Sequence, residues 1–158
     1  MSLDTTETVG NRLEEPFRPP RSKYVSPRAF VQFPAVEIVG LGIDLCEIER
    51  VEGMLAKYPR FPERIFTEHE RAYASRFARP ARRYAARFAG KEAVMKSLST
   101  GWRRIRWRDV EITGGGAPRV NLTGTAQARA QALGVTKVLV TITHTDTTAM
   151  VLAVSLAE

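Results

Sequence analysis

Residues 87–101 read RFAGKEAVMKSLSTG, and the placement of charges in this stretch decides how the chain is read. At about 100° per residue, the segment 84–99 puts Tyr84, Phe88, Met95 and Leu98 in one narrow stripe, which predicts an amphipathic helix packed on a sheet. Pro80 suits the first helical position and Gly101 the position just past the end, so the two bracket the helix. On the same projection Glu92 lies about 80° and Lys96 about 120° round from Tyr84, with only Ala85 and Ala89 beside them. The stripe is therefore flanked by a small-residue recess carrying one carboxylate and one amine. Two readings stand. The charges form an ordinary i, i+4 pair on the rim, worth ~0.2–0.5 kcal/mol, or they face something that needs them. Lys91 falls inside the apolar stripe, so its ammonium must snorkel out or find an anion.

Upstream, VEIVGLGIDL (36–45) is a β-branched apolar run that predicts a buried strand. EIERVEGMLAKY (47–58) repeats Ile48, Val51, Met54 and Leu55 at helical spacing. Thr67 followed by Glu70 has the pattern of a capping box, so another helix starts there. Downstream, DVEIT and RVNL read as short strands joined by GGGAP, TGTAQARAQALG (123–134) as a helix ending at Gly134, and KVLVTITHT and TTAMVLAVSL as paired strands turning near Asp146. The predicted order is β, α, α, α, β, β, α, β, β. Residues 1–35 carry five prolines without sustained periodicity and read as an extended, partly disordered arm, leaving 36–158 as one domain.

With 158 residues, the chain can bury a substantial core without staples. The single cysteine, Cys46, cannot form an intrachain disulfide, and no leader or membrane-spanning run is evident, so the expected address is the cytoplasm. The formal charge is +7, and residues 71–108 hold twelve Arg or Lys against one acid, Glu92. That third of the chain is expected to meet an anion. Asp44 closes GLGID at the carboxyl end of an apolar strand, a place where α/β sheets hold ligands, although a cap or turn role is equally at home there. Together, Asp44 and Glu92 suit Mg²⁺, which takes few protein carboxylates plus water and phosphate oxygens. His144 stands near a strand end, where a structural role competes with function. No HExxH, paired CxxC or GxxxxGK[ST] occurs, which removes support for zinc proteolysis, zinc ribbons and P-loop chemistry.

GLGIDLCEIER (40–50), FPERIFTEHE (61–70), RFAGKEAVMKSLSTG, DVEI (109–112) and TITHT (141–145) together resemble the holo-acyl-carrier-protein synthases, the small single-domain class of 4′-phosphopantetheinyl transferases. The resemblance spans about residues 36–156. It implies an α+β fold, a small, mostly antiparallel sheet packed against helices, assembled as a homotrimer with each site between two subunits. It also implies a reaction: the serine of an apo acyl carrier protein attacks the β-phosphate of coenzyme A, phosphopantetheine moves to the serine, and 3′,5′-ADP leaves. By the same resemblance Asp44 and Glu92 are magnesium ligands and catalytic, and Lys96 contacts the pyrophosphate and assists the departing phosphate. His144 and Thr145 line the nucleotide site near the 3′-phosphate. Arg87 and Arg79 match phosphate-binding positions, Gly101 keeps the backbone close to the nucleotide, and Lys91 is a further candidate phosphate contact. Arg50, Lys57 and Arg60 would meet the acidic carrier protein. The base for the serine stays open among Glu92, a metal-bound water and a carrier carboxylate. Ser99 stands where many relatives have glycine, and Gly90 replaces a common alanine, which would loosen the helix by up to ~1 kcal/mol.

The rival reading is a nucleic-acid-binding domain, in which Trp102 and Trp107 within GWRRIRWR (101–108) stack bases while arginines track phosphates. It leaves Asp44 and Glu92 unexplained.

Overall fold

Elements and their order follow from where the chain can hide its apolar side chains. The computed structural model describes residues 36–158, so the arm assigned to residues 1–35 lies outside the described residues. Strand β1 (Glu37–Glu47) leads into helices α1 (Ile48–Lys57), α2 (Phe61–Ile65), α3 (Glu68–Ala74) and α4 (Pro80–Ser97). A single 3₁₀ turn (Trp107–Asp109) precedes the hairpin β2 (Val110–Thr113) and β3 (Arg119–Leu122). Helix α5 (Gly124–Ala132) and the hairpin β4 (Lys137–His144) and β5 (Thr148–Ala157) complete the fold. The main sheet has the order β1-β5-β4 with both pairings antiparallel, so the architecture is α+β as expected.

Helix α4 is the centre of the molecule. It approaches the sheet closely because the facing positions are small. A Cβ on Gly40 would sit 2.1 Å from the Ser97 carbonyl oxygen, and one on Gly42 would sit 1.9 Å from that of Ala93. On β5, Ala149, Ala153 and Ser155 continue the same floor, all fully buried, and the Ser97 and Ser155 hydroxyls bond across it at 2.8 Å. The other side of α4 is covered by a bulky layer in which Phe66 packs on Tyr84 and Phe88 stacks on Trp107. Twelve of its eighteen residues are buried, so it has little solvent face on which to carry charge.

Three expectations are corrected by this arrangement. FPERI forms its own short helix, α2, opened by Pro62 in its first turn, which short-window periodicity cannot separate from a loop. The capping box at Thr67 is present in full and starts α3, as read. Helix α4 begins at Pro80 but ends at Ser97, and Gly101 is not its terminator. The left-handed residue is Ser99 (φ 52°), whose amide bonds to the Lys96 carbonyl while that of Thr100 bonds to Met95, a Schellman end built on a non-glycine. Arg129 of α5 supports it by donating to the carbonyls of Leu98 and Ser99 at 3.0 and 3.4 Å. Finally, β1 is buried on one face only: Leu41, Ile43 and Leu45 are 61, 55 and 58% exposed. The helices cover one side of the sheet, and among the described residues the apolar side chains of the other side are left exposed.

Candidate active site

The alternation of β1 places Gly40, Gly42 and Asp44 on the same face, so the glycines that admit α4 also aim Asp44 at it. Glu92 and Lys96 lie one helical turn apart on α4. The result is a tight constellation. The Lys96 ammonium donates to Asp44 Oδ1 at 2.6 Å and to the Ile43 carbonyl at 3.1 Å. Asp44 is largely buried, whereas half of the Lys96 side chain faces solvent. Burial pushes the Glu92 carboxyl above the usual glutamate range, and the adjacent Asp44 carboxylate, within hydrogen-bonding reach, pushes it further; Lys96 and Arg50 act the other way. Beneath them Cys46 is buried, and its thiol is pushed up to about 11, mainly by desolvation. A carboxylate whose ionised form is opposed by a neighbouring carboxylate is a natural seat for a divalent cation. Among the described residues no group of three or more His, Cys, Asp or Glu could hold a metal. The donor set here is the carboxylate pair of Asp44 and Glu92, a set that suits an ion taking few protein carboxylates and completing its shell with water and phosphate oxygens, as Mg²⁺ does.

The remaining candidates are distributed along α4, which at 18 residues spans about 27 Å. Beyond its C-terminus, Gly101 is exposed with open space around it. At its N-terminus, Arg79 pairs with Glu52 of α1 at 3.1 Å. His144, at the end of β4, is separated from β1 by β5, and its Nδ1 lies 2.7 Å from an Arg82 Nη2. Thr145 sits in the exposed β4–β5 turn. Within one chain, then, Asp44, Glu92 and Lys96 come together, whereas Arg79 meets Glu52 and His144 meets Arg82.

Lys91 departs from expectation. It is fully buried, and its ammonium meets Glu70 at 2.8 Å, the Trp107 carbonyl at 3.0 Å and the Val110 carbonyl. Glu70 in turn accepts the amides of Thr67 and Ile112. Three protons and three acceptors leave nothing for a phosphate, so the assignment of Lys91 to coenzyme A is withdrawn: it is a structural hub joining α3, α4 and β2. Desolvation lowers its amine, and the Glu70 carboxylate opposes that shift. Arg87 is likewise buried, its guanidinium stacked 4.1 Å over the Tyr73 ring and its Nε without a partner.

Of the basic residues expected to meet a carrier protein, the charge of Arg50 is felt by Glu92 and Cys46, while Lys57 and Arg60 are exposed further along. Sequence reading missed what adjoins them, an apolar recess of about 550 Å³ lined by Met54, Tyr58, Phe61, Phe88, Trp102 and Trp107. The recess also bears on the nucleic-acid reading: half-buried Trp107 stacks on Phe88. Of the twelve cations, Arg87 and Lys91 are buried and Arg79 and Lys96 are paired with carboxylates, so these four are not part of an open basic surface.

Residues 40–151 match the family described as the 4′-phosphopantetheinyl transferase superfamily. Holo-[acyl-carrier-protein] synthase from Solibacter usitatus is 46% identical over 112 residues, covering 68% of this chain and 90% of the relative. That from Moorella thermoacetica is 45% identical over 119 residues, covering 74% and 91%. The chain belongs to the holo-[acyl-carrier-protein] synthases of that superfamily. The synthase from Bacillus anthracis, solved with coenzyme A (3′,5′-ADP), superposes with a TM-score of 0.64 at 32% identity, covering 78% of this chain and all of that one. The acyl carrier protein synthase from Mycobacterium tuberculosis superposes with a TM-score of 0.60 at 37% identity, covering 77% of this chain and all of the other. As a holo-[acyl-carrier-protein] synthase the chain is a transferase, and the matched segment contains Asp44, Glu92, Lys96 and His144.

Proposed function

We propose that this chain moves the 4′-phosphopantetheine group of coenzyme A onto a serine of an apo acyl carrier protein, with Mg²⁺ held by Asp44 and Glu92. The observation that carries the reading is the meeting of Asp44, Glu92 and Lys96 at the β1–α4 contact. A bound Mg²⁺ would supply neutralisation of charge on the pyrophosphate oxygens. Lys96, whose ammonium is held beside Asp44, contacts the pyrophosphate and meets the charge growing on the leaving 3′,5′-ADP as the serine oxygen bonds to the β-phosphorus and the bridging P–O bond breaks. The serine proton passes to a base that remains open among Glu92, a metal-bound water and a carrier carboxylate. Gly101, Arg79, Arg87, His144 and Thr145 are assigned to the nucleotide.

Arg50, Lys57 and Arg60 line the approach to the site and suit an acidic carrier, and the apolar recess beside Arg60 offers a seat for its hydrophobic contacts. Assembly as a homotrimer is supported by the bare sheet face. In register, Leu41, Val154 and Leu139 form one row, Ile43 and Leu152 extend the next, and Leu45 and Met150 the third. A second copy is the natural cover for such a surface. It would also bring His144 and Thr145 of one chain toward Lys96 of another. No helix among the described residues is long and apolar enough to cross a membrane, which agrees with a cytoplasmic reaction.

The test is to incubate the protein with coenzyme A, Mg²⁺ and apo carrier proteins and to follow the carrier by mass. A phosphopantetheine adduct is expected. Absence of any adduct across type II and excised type I carriers overturns the reading.

A further inference from the structure

We infer that Arg82 is a specificity-determining residue, which holds His144 as a neutral Nε2–H donor and supplies the cation beside it for the 3′-phosphate of the nucleotide. This rests on the proposed function, which assigns His144 to the nucleotide, and on the family resemblance, which implies that it lies near the 3′-phosphate. Neither the motif nor the helix projection singled out Arg82.

The geometry starts from the 2.7 Å contact between Arg82 Nη2 and His144 Nδ1. A guanidinium can only donate, so Nδ1 must accept, and the single ring proton of a neutral imidazole then resides on Nε2. The imidazole thus offers one N–H on its far side, fixed by Arg82 and not by chance of tautomer. The charge of Arg82 is itself unspent. Three arginines sit at the start of α4, Arg79, Arg82 and Arg83, and its first turn contains no acid. Arg79 is paired with Glu52, and the Arg83 guanidinium lies 4.1 Å over the Phe77 ring. Arg82 has no carboxylate within ion-pair distance among the described residues. Its Nε is buried with no hydrogen-bond partner. A cation bonded only to a neutral ring is satisfied by an anion that accepts from both, and a phosphate monoester, with two to three peripheral oxygens, does so. The contact is made within one chain, so it travels with His144 whether the site is completed by the same subunit or by a neighbour.

The test compares coenzyme A with 3′-dephospho-coenzyme A as substrates of the full-length protein and of its Arg82→Gln and Arg82→Lys variants. Loss of one charge-assisted contact predicts a rise of roughly 10- to 100-fold in KM for coenzyme A, with kcat little changed and KM for the dephospho substrate unmoved. Arg82→Lys should recover part of the preference. Equal losses on both substrates in Arg82→Gln, or an unchanged preference, overturn the inference. Two binding readouts stand apart from turnover. Calorimetry with 3′,5′-ADP and with 5′-AMP should show the variant losing discrimination between them. Imidazole ¹⁵N resonances should show His144 with an unprotonated Nδ1 in the parent and a mixed tautomer in Arg82→Gln. If the parent transfers no phosphopantetheine, the proposed function fails. If it transfers normally and the variant still discriminates, the role of Arg82 fails.

Discussion

Replacing Gly42 with alanine should damage stability and activity together, and by amounts that can be worked out. The new Cβ would stand 1.9 Å from the Ala93 carbonyl oxygen and 2.7 Å from the Ser97 amide nitrogen, both backbone atoms of α4 that no rotamer change can move. Restoring ordinary contact requires α4 to retreat from β1 by about 1.5 Å, in an interior packed as densely as an organic crystal. Overpacking of this kind costs ~1–3 kcal/mol, which for the folded part corresponds to a melting temperature lower by about 4–12 °C. The retreat carries Glu92 and Lys96 away from Asp44, and a misplacement of about 1 Å can reduce turnover some 10²-fold. Thermal melts by circular dichroism and transfer of phosphopantetheine to carrier protein read the two effects. Gly53→Ala is the control: it changes the same atoms in exposed α1, where an added Cβ meets nothing within 4 Å. It should stabilise by up to ~1 kcal/mol. A Gly42→Ala protein with parental melting temperature and parental turnover would refute the claim that glycine at this position sets the β1–α4 spacing.

Three further outcomes are expected. Ser99→Gly should raise stability by ~0.5–1 kcal/mol in urea titrations, because the left-handed conformation at φ 52° penalises serine more than glycine's extra chain entropy offsets; a loss would show that the exposed side chain matters. Lys91→Met should cost ~3–5 kcal/mol by stranding Glu70. The double variant Lys91→Met with Glu70→Gln should regain part of that loss and keep the parental KM for coenzyme A, whereas a many-fold rise in that folded double variant would restore Lys91 as a phosphate contact. Glu92→Gln should abolish metal-dependent transfer yet raise the melting temperature of the metal-free protein near neutral pH. The sign follows from the raised Glu92 carboxyl: its stabilising contribution is present while it is protonated, below the ordinary glutamate range, and is lost as pH rises through the elevated value. The advantage of the variant should therefore vanish in acid, and one that persists there would contradict the shift.

Much of this fold was legible because its boundaries rest on local chemistry. The Thr67–Glu70 capping box and the Pro80 start need only neighbours in sequence, and both stand where the pattern put them. Asp44, Glu92 and Lys96 were selected from strand-end placement, helical spacing and family resemblance, and the structure brings those three side chains together. What stayed hidden depends on layers. Amphipathic reasoning placed Lys91 in the apolar stripe, but that Glu70 is its anion and that Arg87 is buried could not be inferred while the covering hairpin and α3 were unknown. The end of α4 was misread because Ser99 takes a conformation usually left to glycine, and Gly101 nearby offered the expected letter. Nothing in the spacing of Arg82 and His144, 62 residues apart, pointed to their contact.

The bare face of the β1-β5-β4 sheet bears on how variants of this chain would be judged. In a solitary molecule Leu41, Ile43, Leu45, Met150 and Leu152 stand in water, on flat strands well suited to sticking to one another. A polar substitution there would leave the carboxylate pair untouched and still alter yield, solubility and the dilution at which the protein survives. Screens that score only product formation would count such positions as essential, although their contribution is to covering an apolar face and not to the bond-making itself.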